Sequence, residues 1–201
     1  MPRRRYDYFK IAVHCAALVP LAALVFDAFM GRLGFDPIRE ITFRTGRDAL
    51  VLLMLSLAVT PLNRFLGLRT AVRVRRALGV YAFVYASLHF LTFIGLDYGF
   101  DPALIVEGIV RKPFALVGFI AFLTLVPLVV TSTNGWKRRL GRDWKRLHRL
   151  AYLTGVLAIV HFAWAAKQDY SEPLAYGAVV AVLLLLRIRL SPRERIGRLE
   201  A

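Results

Sequence analysis

The sequence predicts an all-α integral membrane protein, a bundle of six transmembrane helices. Of its 201 residues, 58% are hydrophobic, and they fall into long blocks, whereas a membrane-crossing helix needs about 20 mostly apolar residues. Nearly all 28 Lys and Arg residues lie between these blocks, where such residues direct membrane topology. The net charge of +15 is therefore attributed to topology, and we expect no binding of nucleic acid.

The apolar blocks set the predicted helices. The spans cover about residues 11–30, 48–66, 77–96, 113–131, 147–166 and 173–190. The second is the weakest, because its uninterrupted apolar core is short for a bilayer crossing. Polar or basic loops are predicted at 31–47, 69–76, 97–112 and 131–146. No internal repeat is apparent, and residues 1–201 are predicted to form a single domain.

Three histidines lie in or beside apolar segments. His89 sits in A-S-L-H-F-L-T-F, and His148 and His161 belong to the stretch W-K-R-L-H-R-L-A-Y-L-T-G-V-L-A-I-V-H-F-A-W at 144–164. Ionisable side chains inside a membrane span are costly and mark functional sites. Imidazole is also an axial ligand of haem iron. The pattern therefore predicts a transmembrane b-type cytochrome.

Depth in the membrane pairs two of these histidines. With a cytoplasmic N-terminus, the third and fifth spans both run outwards, and at about 1.5 Å per residue His89 lies roughly 18 Å in and His161 roughly 21 Å in. We therefore expect His89 and His161 to ligate one haem in the outer half of the bilayer. His148 lies at the inner end, where the matching depth on the third span holds Arg75 and Arg76. His148 is a further candidate: a ligand, a flavin or quinone contact, or an interfacial residue.

The remaining polar and aromatic residues in the spans carry weaker signals. His14, in the inner half of the first span, is an open candidate for a redox role. The single cysteine, Cys15, is predicted to be a small buried residue, and it excludes a disulfide within the chain and a cysteine metal cluster. Tyr81 and Tyr85 share a helical face with His89 and are interpreted as packing residues. The tryptophans are interpreted as an interfacial belt, and Arg187 and Arg189, near the end of the sixth span, are expected to snorkel to the interface.

Several stretches resemble a known family. They are F-K-I-A-V-H (9–14), T-G-R-D-A-L (45–50), R-R-A-L-G (75–79), S-L-H (87–89), T-S-T (131–133), L-G-R-D-W-K-R-L-H-R-L-A-Y (140–152) and H-F-A-W-A-A-K (161–167). With them the chain resembles the MsrQ (YedZ) family, haem-binding membrane subunits of a bacterial periplasmic methionine-sulfoxide reductase system. It is also similar to the wider ferric-reductase and NADPH-oxidase transmembrane superfamily. Those relatives usually carry a second histidine where this chain has Arg75 and Arg76, which argues against a second haem.

The resemblance implies an electron-transfer subunit of the bacterial inner membrane with no catalytic residue of its own. It would take electrons from the respiratory quinone pool and pass them through haem b to a periplasmic molybdopterin subunit, its heterodimer partner, which reduces methionine sulfoxide. FMN is implied as well, although no Gly-rich phosphate loop places it. Two alternatives remain, a transmembrane ferric or other metal reductase and a haem-free transporter or scaffold.

Both termini are predicted to be cytoplasmic. In this orientation the inner segments hold 21 Lys and Arg residues and the outer loops hold 7, as expected because positively charged connections stay inside. A phosphatase that is active only in the periplasm should therefore be inactive when fused to the C-terminus. An active fusion would overturn the orientation together with the depth argument.

Overall fold

The computed structural model describes residues 3–167 and 169–189, which form helices joined by turns, without a strand. In chain order the helices are α1 (Arg3–Phe29), α2 (Pro37–Leu66), α3 (Arg69–Leu91), α4 (Pro102–Arg111), α5 (Pro113–Val130), α6 (Asn134–Leu140), α7 (Arg142–Leu147), α8 (Leu150–Ala165) and α9 (Ser171–Arg189). A π-helical segment, Thr92–Asp97, continues α3. The predicted all-α class is confirmed for the described residues.

Five stretches of helix are long and apolar enough to cross a membrane. They are Tyr8–Phe29, Pro37–Leu66, Arg69–Asp97, Pro113–Val130 and Arg142–Ala165. They correspond to the first five predicted spans. The sixth predicted span coincides with α9, which is a helix but is not among these five, and its last residue, Leu190, lies outside the described residues. A sixth crossing, like the location of the termini, therefore stays a prediction.

The second helix begins well before its predicted start. Residues 31–47 were predicted as a loop, yet α2 begins at Pro37, where Asp36 Oδ1 accepts the backbone N–H of Arg39 at 3.0 Å. Two of the charged residues in this stretch are paired: Arg44 contacts Asp27 Oδ2 at 2.6 Å and Glu40 Oε1 at 2.7 Å. Because these ion pairs neutralise the charge, the helix extends through a polar stretch that hydropathy alone assigns to a loop.

The other predicted loops also contain helix. The basic stretch 69–76 forms the first turns of α3, directly after Gly67 ends α2 in the left-handed conformation with φ 66°. In the polar stretch 97–112, Asp101 caps α4 by accepting two backbone N–H groups. The stretch 131–146 contains α6 and the start of α7. The loop prediction was therefore wrong over much of all four segments, because polar residues were taken as the ends of helices.

Two helix pairs form the centre of the bundle. α2 packs along α3, and α5 packs along α8; the pairs meet where α3 contacts α5 and α2 contacts α8. α1 lies against α2 and α3 on one side, and α9 lies against α2 and α8 on the other. Many large apolar side chains on the outer faces are exposed, as expected for a surface that faces lipid. Cys15 is also exposed, so the prediction of a buried cysteine was wrong.

Tyr85 fastens α1 to the central helices. Its side chain is 1% exposed, and its hydroxyl donates to Ala17 O at 2.7 Å and accepts from Leu21 N at 3.0 Å. Pro20 lies between these two residues and disturbs the helix at that point. The tyrosine hydroxyl therefore satisfies two backbone groups that have no water to bind in a membrane. This agrees with the interpretation of Tyr85 as a packing residue.

Arg187 points into the bundle rather than towards the interface. Pro61 lies inside α2 and has no N–H, so it cannot donate to the carbonyl of Leu57 one turn earlier. Arg187 Nη2 donates to that carbonyl at 2.8 Å, and Arg187 Nη1 donates to the hydroxyl of Tyr152. The expectation that Arg187 snorkels outwards was therefore wrong.

Candidate functional site

The structure brings His89 and His161 together at the centre of the bundle. Their ring centroids are 5.9 Å apart and their planes are nearly perpendicular, at 79°. His89 lies near the end of α3 and His161 near the end of α8, so each ring comes from a different central helix pair. The two histidines matched by depth in the sequence are thus neighbours in space.

A hydrogen bond to the backbone fixes the orientation of each ring. His89 Nδ1 lies 2.8 Å from Thr42 O, and His161 Nδ1 lies 2.7 Å from Phe114 O. A carbonyl oxygen can only accept, so Nδ1 carries the proton in both rings. The Nε2 atoms of both rings are then unprotonated in the neutral histidine and can bind a metal.

A glycine lies under each ring. A Cβ on Gly46 would stand 2.9 Å from His89 Nδ1, and a Cβ on Gly118 would stand 2.6 Å from His161 Nδ1. Each glycine is one helical turn beyond the carbonyl that its histidine binds. Only glycine lets the imidazole approach the helix closely enough to reach that carbonyl.

The two halves of the site repeat the same arrangement. Both hydrogen bonds from histidine to carbonyl span 47 residues, and each supporting glycine precedes its histidine by the same interval along the chain. The sequence was predicted to contain no repeat, and the glycines and carbonyls of the site were missed. Gly46 and Gly118, which stand at equal distances from the two histidines along the chain, were the signal that could have revealed them.

The histidine geometry fits a bis-imidazole iron site. A bond from a metal to an imidazole nitrogen is about 2 Å long, and the ring centre lies about 1 Å further, so two axial rings on one iron have centroids roughly 6 Å apart. The observed 5.9 Å agrees with this. Within residues 3–167 and 169–189 no group of three or more His, Cys, Asp or Glu side chains could hold a metal ion. The paired imidazoles are therefore the candidate metal centre.

Aromatic side chains pack beside the pair on the α3 and α5 side. Phe90, which follows His89, stacks on Phe122 with centroids 5.1 Å apart and contacts Phe119 at 5.6 Å. On the other side, Phe162, which follows His161, meets Phe43 of α2 edge to face at 6.0 Å. Phe114 contacts the His161 ring itself, with centroids 6.3 Å apart.

His148 lies apart from this pair, in the turn between α7 and α8. Its Nε2 is 3.1 Å from Thr131 Oγ1. The single hydroxyl proton of Thr131 goes to Pro127 O at 2.6 Å, so His148 Nε2 must be the donor. Trp144 stacks on the ring at 3.9 Å and donates its indole N–H to Thr131 O at 2.9 Å. His148 thus carries its proton on Nε2, whereas His89 and His161 carry theirs on Nδ1. Trp144 contacts both His148 and Thr131, so it supports this local arrangement and is not only an interfacial residue.

His14 does not join the other histidines either. Its Nδ1 is hydrogen-bonded to the hydroxyl of Tyr81 at 2.9 Å, and the two rings meet edge to face. Together with Tyr85, this contact holds α1 against α3. Packing accounts for the position of His14, and the structure brings no second imidazole to it.

Comparison with known proteins identifies the family. The model for the ferric reductase like transmembrane component matches residues 45–160. The protein-methionine-sulfoxide reductase heme-binding subunit MsrQ of Ralstonia nicotianae is 48% identical over 191 residues, which cover 94% of this chain and 88% of the relative. The chain belongs to the MsrQ family. With the five candidate spans, this makes it a multi-pass membrane protein.

Further MsrQ relatives support the assignment. The heme-binding subunit MsrQ of Xanthomonas campestris pv. campestris is 46% identical over 197 residues, and that of Xanthomonas axonopodis pv. citri is 45% identical over 197 residues. Both alignments cover 94% of this chain and 90% of the relative. No solved structure gives a significant match. The resemblance to MsrQ seen in the sequence motifs is confirmed.

The glycines under the rings should not tolerate a side chain. Gly46→Ala and Gly118→Ala each push a methyl group into an imidazole, so we expect the free energy of unfolding to fall by about 1–3 kcal/mol. Gly79→Ala is the control, because its Cβ would meet only Ser56 Oγ at 3.5 Å. It should be neutral or should stabilise α3 by up to about 1 kcal/mol. Thermal unfolding in one detergent measures all three, and equal stability of the three variants would contradict the close packing.

Proposed function

We propose that the chain is a haem-binding electron-transfer subunit of the bacterial inner membrane. It accepts electrons from the respiratory quinone pool and delivers them to a periplasmic molybdopterin-containing methionine-sulfoxide reductase, with which it forms a heterodimer. The reductase would restore oxidised methionines in periplasmic proteins. The chain itself would supply no catalytic residue, because the reduction occurs in the partner.

The observation that carries the proposal is the pair formed by His89 and His161. Both rings present an unprotonated Nε2, and their spacing of 5.9 Å suits two axial ligands on one iron. The MsrQ relatives are named as heme-binding subunits. We therefore assign these two histidines as the axial ligands of one haem b.

Each side chain and backbone group of the site has a separate task. Thr42 O and Phe114 O fix the tautomer and orientation of the rings, and such second-shell hydrogen bonds raise the basicity of a ligating imidazole. Gly46 and Gly118 make room for the rings. When bound, haem supplies reversible one-electron chemistry, while the protein supplies ligation, orientation and a dry environment.

The cytoplasmic half is the proposed side of electron entry. His148 lies there, just before α8 begins and thirteen residues before His161, which corresponds to roughly 20 Å at the rise of a helix. Because its Nε2 donates to Thr131, we propose a role for His148 in contact with a quinone or flavin rather than as a ligand equivalent to His161. FMN is proposed from the family resemblance alone, and no residue other than His148 is suggested as a contact for it.

The central histidines should differ from His148 in their effect on haem. His89→Ala or His161→Ala removes an axial ligand that no nearby imidazole replaces, so haem should be lost or become high-spin. His148→Ala is the matched control, since it removes an imidazole distant from the pair and should keep a normal low-spin spectrum. Pyridine haemochrome analysis and the reduced-minus-oxidised spectrum measure both properties at equal protein.

Two results would contradict the assignment. If native protein from cells well supplied with haem contains no protohaem, the proposal as a whole is wrong. Loss of all haem in His148→Ala, together with a normal low-spin spectrum in His161→Ala, would mean that the ligands are paired wrongly.

The direction of electron flow can be tested separately. In membrane vesicles that contain the chain, a reduced quinone analogue should produce the reduced cytochrome spectrum. Methionine sulfoxide should restore the oxidised spectrum only when the periplasmic molybdopterin subunit is present. Reoxidation by ferric chelates without that subunit, at the rate seen with it, would instead favour the metal-reductase alternative.

A further inference from the structure

Two arginines converge inside one end of the bundle. Arg75 Nη1 of α3 donates to Thr60 Oγ1 of α2 at 3.2 Å, and Arg187 Nη2 of α9 donates to the same oxygen at 2.9 Å. Both arginine side chains are partly buried. Two guanidinium groups therefore share a single neutral hydroxyl among the helices.

The other partners of Arg187 are neutral as well. They are the carbonyl of Leu57, left without a helix donor by Pro61, and the hydroxyl and ring of Tyr152, whose centroid is 5.0 Å from the guanidinium carbon. Arg187 Nε is buried and has no hydrogen-bond partner within the described part of the chain. None of the five ion pairs formed by the described residues includes Arg75 or Arg187.

In this arrangement two positive charges lie close together, and no acidic side chain among the described residues is paired with either of them. Guanidinium groups do not lose their protons in proteins, and like charges repel strongly where the surroundings exclude water. Buried charges are normally paired, whereas among the described residues these two guanidinium groups contact only hydroxyl and carbonyl oxygens and the ring of Tyr152. An anion that enters between Arg75 and Arg187 would remove the repulsion and could accept from Arg187 Nε.

We propose that Arg75, Arg187 and the Thr60 hydroxyl form a binding site for a phosphate group. The forked donors of arginine match phosphate oxygens, and paired arginines commonly bind this group. The site lies at the His148 end of the bundle, because Arg75 is within electrostatic range of His148. The phosphate belongs either to the headgroup of an anionic phospholipid or to a soluble molecule. The proposal does not depend on haem binding.

Thermal unfolding of the full chain tests the site. The protein is purified in a sugar-based, phosphorus-free detergent, and inorganic phosphate is added at constant ionic strength. Binding to the folded state should raise Tm by roughly 5–10 °C at about 100 times Kd. The double variant Arg75→Gln, Arg187→Gln should lose this response. Arg76→Gln should keep it, because Arg76 is the exposed neighbour that binds Asn134 at 2.8 Å instead.

A second arm distinguishes the two sources of phosphate. The same proteins are reconstituted in phosphatidylcholine vesicles with and without phosphatidylglycerol. A rise in Tm with phosphatidylglycerol, lost in the double variant, together with no response to inorganic phosphate, identifies a lipid headgroup as the ligand. A response to inorganic phosphate in detergent identifies a soluble ligand.

Thr60→Asp tests the electrostatic cause without removing an arginine. It places a carboxylate where both guanidinium groups already point, so the protein should unfold at or above the native Tm without phosphate and should no longer respond to it. The proposal is wrong if Thr60→Asp lowers Tm and keeps the native response. It is also wrong if neither phosphate nor phosphatidylglycerol distinguishes the native protein from the double variant.

Discussion

A hydrogen bond from an imidazole Nδ1 to a helix carbonyl determines the chemistry of the central site. It sets the tautomer of His89 and of His161, so that Nε2 is the unprotonated nitrogen of both neutral rings. In a bilayer no water competes for that carbonyl, and its second lone pair is available to the ring. The bond is only reachable because Gly46 and Gly118 carry no side chain. The contact occurs twice, between α3 and α2 and between α8 and α5, and it therefore helps to hold these four helices around the two rings.

The part of the fold that could be predicted is the part for which a long apolar block indicates a membrane-crossing helix. The five helices that meet this criterion coincide with predicted spans, because about 20 apolar residues have few alternatives to a helix in lipid. The helix ends were not predictable in the same way. From the sequence alone, Arg44 is assigned to a loop. In the structure it belongs to α2, where its charge is neutralised by Asp27, which is distant in sequence. From the sequence alone, Arg187 is assigned to the membrane interface. In the structure it donates to the carbonyl of Leu57, which Pro61 leaves without a helix donor.

The proximity of His89 and His161 was predictable from the sequence, and the groups that support their rings were not. Depth counted from the ends of the spans pairs His89 with His161 because both helices run in the same direction and start from comparable positions. The groups that orient the rings are backbone carbonyls, which every residue possesses, so no residue type marks Thr42 or Phe114. For His148, its distinct tautomer depends on a hydrogen bond from Thr131 to Pro127 that spacing along the chain does not reveal.

The two halves of the site are also synthesised one after the other during translation. His89 emerges from the ribosome with α3, after the α2 segment that holds its carbonyl, so the first half can form alone. The facing ring follows 72 residues later, and at about 5–20 residues per second this takes roughly 4–14 s. During that interval the membrane holds a hairpin with one oriented imidazole and no counterpart. Both imidazoles of the pair are thus present only in molecules whose translation has passed His161.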